Sequence, residues 1–214
     1  RREDTEGGLK SYKASITTSV IFIVFFGYTS SMMSWDWIMS IDTHWFSTLF
    51  GWFVFSSMGV TGFTMIAIVA IYLKRKGYLE QVNENHIHDL GKWIFAFSIL
   101  WTYMWFSQFM LIWYANIPEE THFYMNRTMG VWQGYSNLLM VGAFFFPFLA
   151  LLSRHVKRST NVLCGMAVYI LFMRYLDLYW LIMPNYHRGE IIDNPFGLVE
   201  ISLVIGFIGL LLFG

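Results

Sequence analysis

Six long apolar runs leave this chain one kind of fold. Crossing the roughly 30 Å hydrocarbon core of a bilayer takes about 20 apolar residues as a helix. Segments near 14–35, 46–73, 91–115, 129–152, 161–183 and 196–214 offer runs of that order, the last being the shortest. Hydrocarbon gives a backbone amide or carbonyl no outside partner, so such runs fold as helices. Composition agrees, with 56% hydrophobic and 13% charged residues, against about 25% charged in an average soluble domain. The expected fold class is an all-α integral membrane protein, a polytopic helix bundle in one transmembrane domain over 1–214. The chain opens on "RREDTEGGLK" and stops at Gly214 within the apolar "LVIGFIGLLLFG". These ends read as those of the C-terminal part of a longer polytopic protein.

Lysine and arginine set the expected orientation. One face carries Arg1, Arg2, Lys10, Lys13, Lys74, Arg75, Lys76, Lys92, Arg154, Lys157 and Arg158, whereas the other carries Arg127 and Arg188. The positive-inside rule makes the first face cytoplasmic, with 1–13, 74–90 and 153–160 on that side. The outer face is the acidic one, with Asp36, Asp42, Glu119, Glu120, Glu190 and Asp193. Formal net charge is zero, so there is no nucleic-acid footprint.

The first outer hairpin, "MSWDWIMSIDTHWFSTLFG" (33–51), puts ionisable groups among tryptophans. Trp35, Trp37 and Trp45 read as an interfacial aromatic belt. Asp42 or Thr43 is placed to cap the second helix, whose N-terminus favours a negative group. Neither Asp36 nor His44 is needed for a cap.

The fifth run, "NVLCGMAVYILFMRYLDLYWLIMP", holds Arg174 and Asp177 three residues apart, on one helix face. A charge at that depth costs about 2.5–3.5 kcal/mol on insertion scales. The pair is either a structural ion pair that locks packing or a proton-relay or ligand pair. Other polar side chains gather in the outer halves of the runs. They are Tyr28, Thr29, Ser30 and Ser31, then Gln108, then Gln133, Tyr135, Ser136 and Asn137, then Tyr179 and Glu200. They predict a polar vestibule from the outer face to mid-membrane, with Asp36 and His44 at its mouth. Arg174, Asp177, Tyr179, Gln108 and Asn137 are the expected relay residues.

Other chemistry is disfavoured. The lone Cys164 excludes an internal disulfide, a cysteine-ligated iron–sulfur cluster and a CxxCH haem attachment. All six histidines lie near the membrane faces, which disfavours buried haem. "HIHD" (86–89) lacks the further ligands a metal needs, and no metal site is expected.

"WDWIMSIDTHWFSTLFGWFVF", followed by a long helix and a short basic loop, resembles the polysulfide-reductase-type (NrfD/PsrC-like) membrane subunits. Within that superfamily it is most similar to the second such subunit (ActF-like) of alternative complex III, a bacterial quinol:cytochrome c oxidoreductase. The string from Met39 to Gly51 carries the resemblance, with "MRYLDLYW" (173–180) and the outer "IPEET" loop in support. Thr43 stands where that family typically has proline, a change in loop stiffness more than in chemistry. The resemblance implies ten helices in the whole protein, the six here comprising the second four-helix bundle and flanking helices. It implies a multi-pass protein of the bacterial cytoplasmic membrane, in contact with lipid and quinol (menaquinone or ubiquinone). Its implied partners are a paralogous quinol-site subunit, an iron–sulfur subunit and c-type cytochromes, which hold the iron–sulfur clusters and haem c. This chain would then be a non-redox subunit giving structural support and a proton pathway. Asp36, Asp42 and His44 would serve outer-face proton release or a second quinone contact. The alternatives are a proton-coupled secondary transporter and an inert membrane scaffold.

Overall fold

The computed structural model describes residues 9–186 and 197–213. Among these residues the chain is helical and no strand occurs. In chain order the helices are α1 (Leu9–Trp37), α2 (Phe50–Arg75), α3 (Glu84–Ala115), α4 (Pro118–Thr128), α5 (Val131–Leu139), α6 (Phe146–Leu152), α7 (Arg154–Arg158), α8 (Thr160–Tyr186) and α9 (Leu198–Phe213). A 3-10 turn at Met39–Ile41 follows α1, and a π-helical segment at Met140–Phe145 joins α5 to α6.

Five helical stretches are long and apolar enough to cross a membrane: Leu9–Ile41, Phe50–Arg75, Glu84–Ala115, Val131–Leu152 and Thr160–Asn185. The protein is thus an all-α, multi-pass bundle. The sixth expected span, the shortest of the six, is described over α9. The 16 described residues of α9 rise about 24 Å at 1.5 Å per residue.

The bundle is organised around α2, which packs most extensively on α3 and then on α8 and α1. Its buried residues Phe50, Phe53, Val54, Ser57, Val60, Thr64, Ala67 and Ile71 recur every three or four positions, the stripe of a core-facing helix. Gly59 allows the close approach of α3, for a Cβ there would lie 2.3 Å from the Phe97 ring. Local signals set the ends. Asn83 caps α3 through the backbone amides of Asn85 and His86, and the His86 ring accepts from the Asn83 amide in return. Asn116 ends α3 in the left-handed conformation, φ 48°. Pro118 opens α4, where its missing N–H has no helical partner to lose.

The break between α5 and α6 has a sequence cause. Pro147 cannot donate to residue 143, and its ring crowds that carbonyl, so the turn before it widens to π geometry over Met140–Phe145.

Three features of the first hairpin differ from expectation. Neither Asp42 nor Thr43 caps α2: the helix begins at Phe50 behind Leu49, with no side-chain cap. Instead Asp42 is buried and its Oδ1 accepts the His44 backbone amide at 3.5 Å. Trp45 is core rather than belt, 3% exposed and stacked on Phe123 at 3.8 Å. Trp37 keeps the exposed position.

Candidate functional site

Arg174 and Asp177 lie near the middle of α8 and are 4% and 2% exposed. Arg174 Nη1 donates to Asp177 Oδ2 at 3.3 Å. The guanidinium also stacks over the Trp101 ring of α3, 3.7 Å from its centroid. The Ser57 hydroxyl of α2 and the Trp101 indole are the neutral polar groups beside the carboxyl. The pair therefore sits where α2, α3 and α8 meet. Two charges here are desolvated together, and their attraction and the aromatic face over Arg174 offset part of that cost. Asp177 Oδ1 is buried with no hydrogen-bond partner among the described residues, so the carboxyl is held through Oδ2 by Arg174.

A second buried cation stands outward of the first. Arg127, at the end of α4, is fully buried. Its Nη1 donates to the Phe123 carbonyl and its Nη2 to the Leu181 carbonyl of α8, both at 2.8 Å. The guanidinium lies 3.5 Å from the Phe123 ring centroid and 5.6 Å from that of Trp180. Trp180 Nε1 donates to Ser136 Oγ at 2.7 Å, and that hydroxyl donates to the Arg127 carbonyl. Trp45, Phe123, Arg127 and Trp180 thus form one stacked column, which ties α4 across the outer end of α8. Beside it, burial pushes the Tyr124 hydroxyl well above its ordinary range. Sequence reading placed Arg127 only as an outer-face charge. The signal was Phe123 and Arg127 four apart, with Trp180 three beyond Asp177.

The remaining expected site residues do not gather around the pair. Gln108 is buried, but it donates to Ser47 Oγ at 3.0 Å and so anchors the first outer loop to α3. Tyr179 packs among Trp132, Tyr135 and Tyr175, at ring distances of 6.0, 6.4 and 6.5 Å. Asn137 and Gln133 are exposed on α5. Asp36 is exposed in the last turn of α1 and His44 is exposed in the loop that follows, where Asp42 is buried. The polar vestibule is not assembled among the described residues. In α1 the hydroxyls turn back on their own helix, Thr29 to the Phe25 carbonyl at 2.9 Å and Ser30 and Ser31 to Gly27 at 3.2 Å each. A hydroxyl in hydrocarbon finds its nearest acceptor one turn back, and this removes it from any shared cavity.

A cavity of about 460 Å³ borders Asp177. Its walls come from Trp101, Trp105 and Phe106 of α3, Phe144 of the π segment, Phe148 of α6 and Trp180 of α8. Asp177, Ser136 and Thr102 border it as well, yet the surface it presents is wholly apolar. A space lined this way stays dry. It can hold hydrocarbon, but it offers a polar head group no partner. Among the described residues no cluster of three or more His, Cys, Asp or Glu side chains is placed to hold a metal ion. Compared with known protein families and with curated proteins, the chain matches none.

Proposed function

We propose that this chain is an integral membrane subunit of a respiratory quinol:electron-acceptor (cytochrome c) oxidoreductase in a bacterial cytoplasmic membrane. It gives that complex structural support and a proton-handling site, while redox cofactors and the principal quinol site reside on partner subunits. The observation that carries this reading is the buried Arg174–Asp177 pair where three helices join. Intramembrane ion pairs of this kind mark proton relays and ligand sites by default. The "MSIDTHWFSTLFG" string and its resemblance supply the class of complex. The dry wall of the neighbouring cavity favours proton handling over quinol oxidation at this pair.

Gentle purification of the full-length protein from its native membranes tests the assignment. Co-purifying c-type haem, iron–sulfur subunits and quinol oxidation activity support it. A colourless protein that is stable alone overturns it and promotes a proton-coupled transporter. That second reading has one observation in its favour, the π-helical break beside the ion pair, since transporters place their sites at interrupted helices. Within the complex, Asp177→Asn keeps the side-chain shape and removes the titrating group. Assembly should persist while proton-coupled turnover falls by 10²-fold or more, on the order of one lost acid–base group. Normal turnover by an assembled variant would leave the pair a structural element only.

A further inference from the structure

The mid-membrane cavity and the basic inner end of the bundle share the same helices. At the inner end, Lys92, Arg158, Lys157 and Arg154 all lie close enough to His88 to act on its ring electrostatically. Asp89 pairs with Lys92 at 2.7 Å and lies 3.9 Å from the His88 ring, whereas α7 carries Arg154, Lys157 and Arg158 and no acid of its own. Helix α7 is pressed against α3, where a Cβ on Gly91 would meet the Lys157 stem at 3.2 Å. From there an aromatic path leads inward. The Lys157 ammonium lies 5.0 Å over the Phe95 ring, Phe95 packs on Phe148 at 5.8 Å, and Phe148 is a wall of the cavity. The cavity is open sideways, because its wall residues Ile99, Tyr103, Phe106, Met140 and Phe145 are exposed on the flank of the bundle.

We infer that this flank holds one anionic phospholipid from the leaflet on the basic face. Its phosphate group rests on Arg154, Lys157 and Arg158, and one acyl chain runs past Phe95 and Phe148 into the cavity. The dimensions agree. The ten residue steps from Lys92 to Thr102 rise about 15 Å, which is one leaflet's share of a hydrocarbon core of roughly 30 Å. The chemistry agrees at both ends. Clustered arginine and lysine at a membrane face select anionic head groups, and a wholly apolar wall selects hydrocarbon over any polar ring.

The test uses the full-length protein in its native assembly, extracted in mild detergent and stripped of loosely held lipid. Bound phospholipid is then identified by mass spectrometry and counted as phosphorus per chain. About one anionic phospholipid should remain. After complete delipidation, vesicles containing phosphatidylglycerol should restore it and pure phosphatidylcholine vesicles should not. Arg154→Gln, Lys157→Gln and Arg158→Gln keep the side-chain stems, and each should weaken phosphatidylglycerol retention about fivefold, the effect of one interfacial charge. Ile99→Trp, which fills the cavity mouth, should abolish retention with the cations intact. Equal restoration by phosphatidylcholine would overturn the charge selection. Full retention by Ile99→Trp would overturn the seated chain, and a quinone recovered in place of phospholipid would overturn the occupant. If Ile99→Trp fails to assemble, the vesicle comparison and the three charge variants still decide.

Discussion

Helices α1 and α8 are similar in length and hydropathy, yet they face different surroundings. Both pass for membrane spans, but half of the apolar window of α8 is buried and only 6% of that of α1. In α1 the residues Val20, Ile21, Phe22, Ile23, Val24 and Phe25 all remain exposed, and among the described long helices it packs chiefly on α2. In α8 the stripe of Ile170, Met173, Arg174, Asp177, Trp180 and Leu181 is buried. Hydrocarbon is as apolar as leucine, so hydrophobicity tells that a helix lies in the membrane and not which side meets protein. Polar residues that could not stay in lipid tell that. The charges of α8 need partners from other helices, whereas the hydroxyls of α1 need only the preceding turn.

The comparison can be broken at three strengths. The largest effect belongs to Arg174→Ala, which strands the Asp177 carboxylate between Trp101 and Ser57. A loss of about 3–5 kcal/mol is expected for removing one partner of a buried pair, read as a collapse of thermal stability in detergent. The second change is Arg127→Ala. It removes two donors at 2.8 Å and the stack between Phe123 and Trp180. About 2–3 kcal/mol is expected, the worth of hydrogen bonds from a charged donor. It should appear as faster proteolysis of the 116–130 region before the bundle melts. The smallest is Val24→Ala on the exposed flank of α1, where stability should move by less than about 0.5 kcal/mol. A larger loss would show that α1 is covered by another protein surface in its assembly.

How far the sequence carries a reader depends on the range of the interactions. The spans and the Arg174–Asp177 pair are visible in it because period and spacing within one helix produce them. The surroundings of the pair are not, since Trp101 and Ser57 are brought to it from other helices by packing. Asp42 has the chemistry of a cap, but α2 starts at Phe50, beyond the reach of its side chain. Trp45 has the composition of an interfacial anchor, but a stacking partner arrives from α4, 78 positions on, at Phe123. Gln108 and Tyr179 are at suitable depths for a relay, yet Gln108 donates to Ser47 of the first loop and the Tyr179 ring packs among Trp132 and Tyr135. Depth along a helix can be read from a sequence, whereas direction around it needs the partner's surface.

The joint at Arg127 also bears on the order in which the molecule is built. Arg127 donates to the Leu181 carbonyl of α8 from a helix 54 residues earlier in the chain. Ribosomal synthesis delivers α4 first, so for the time needed to make and insert α8 this guanidinium has no Leu181 carbonyl to hold. The outer cap of the bundle then sets only once α8 is in place, and a chain halted before Leu181 would carry its inner packing without its clasp.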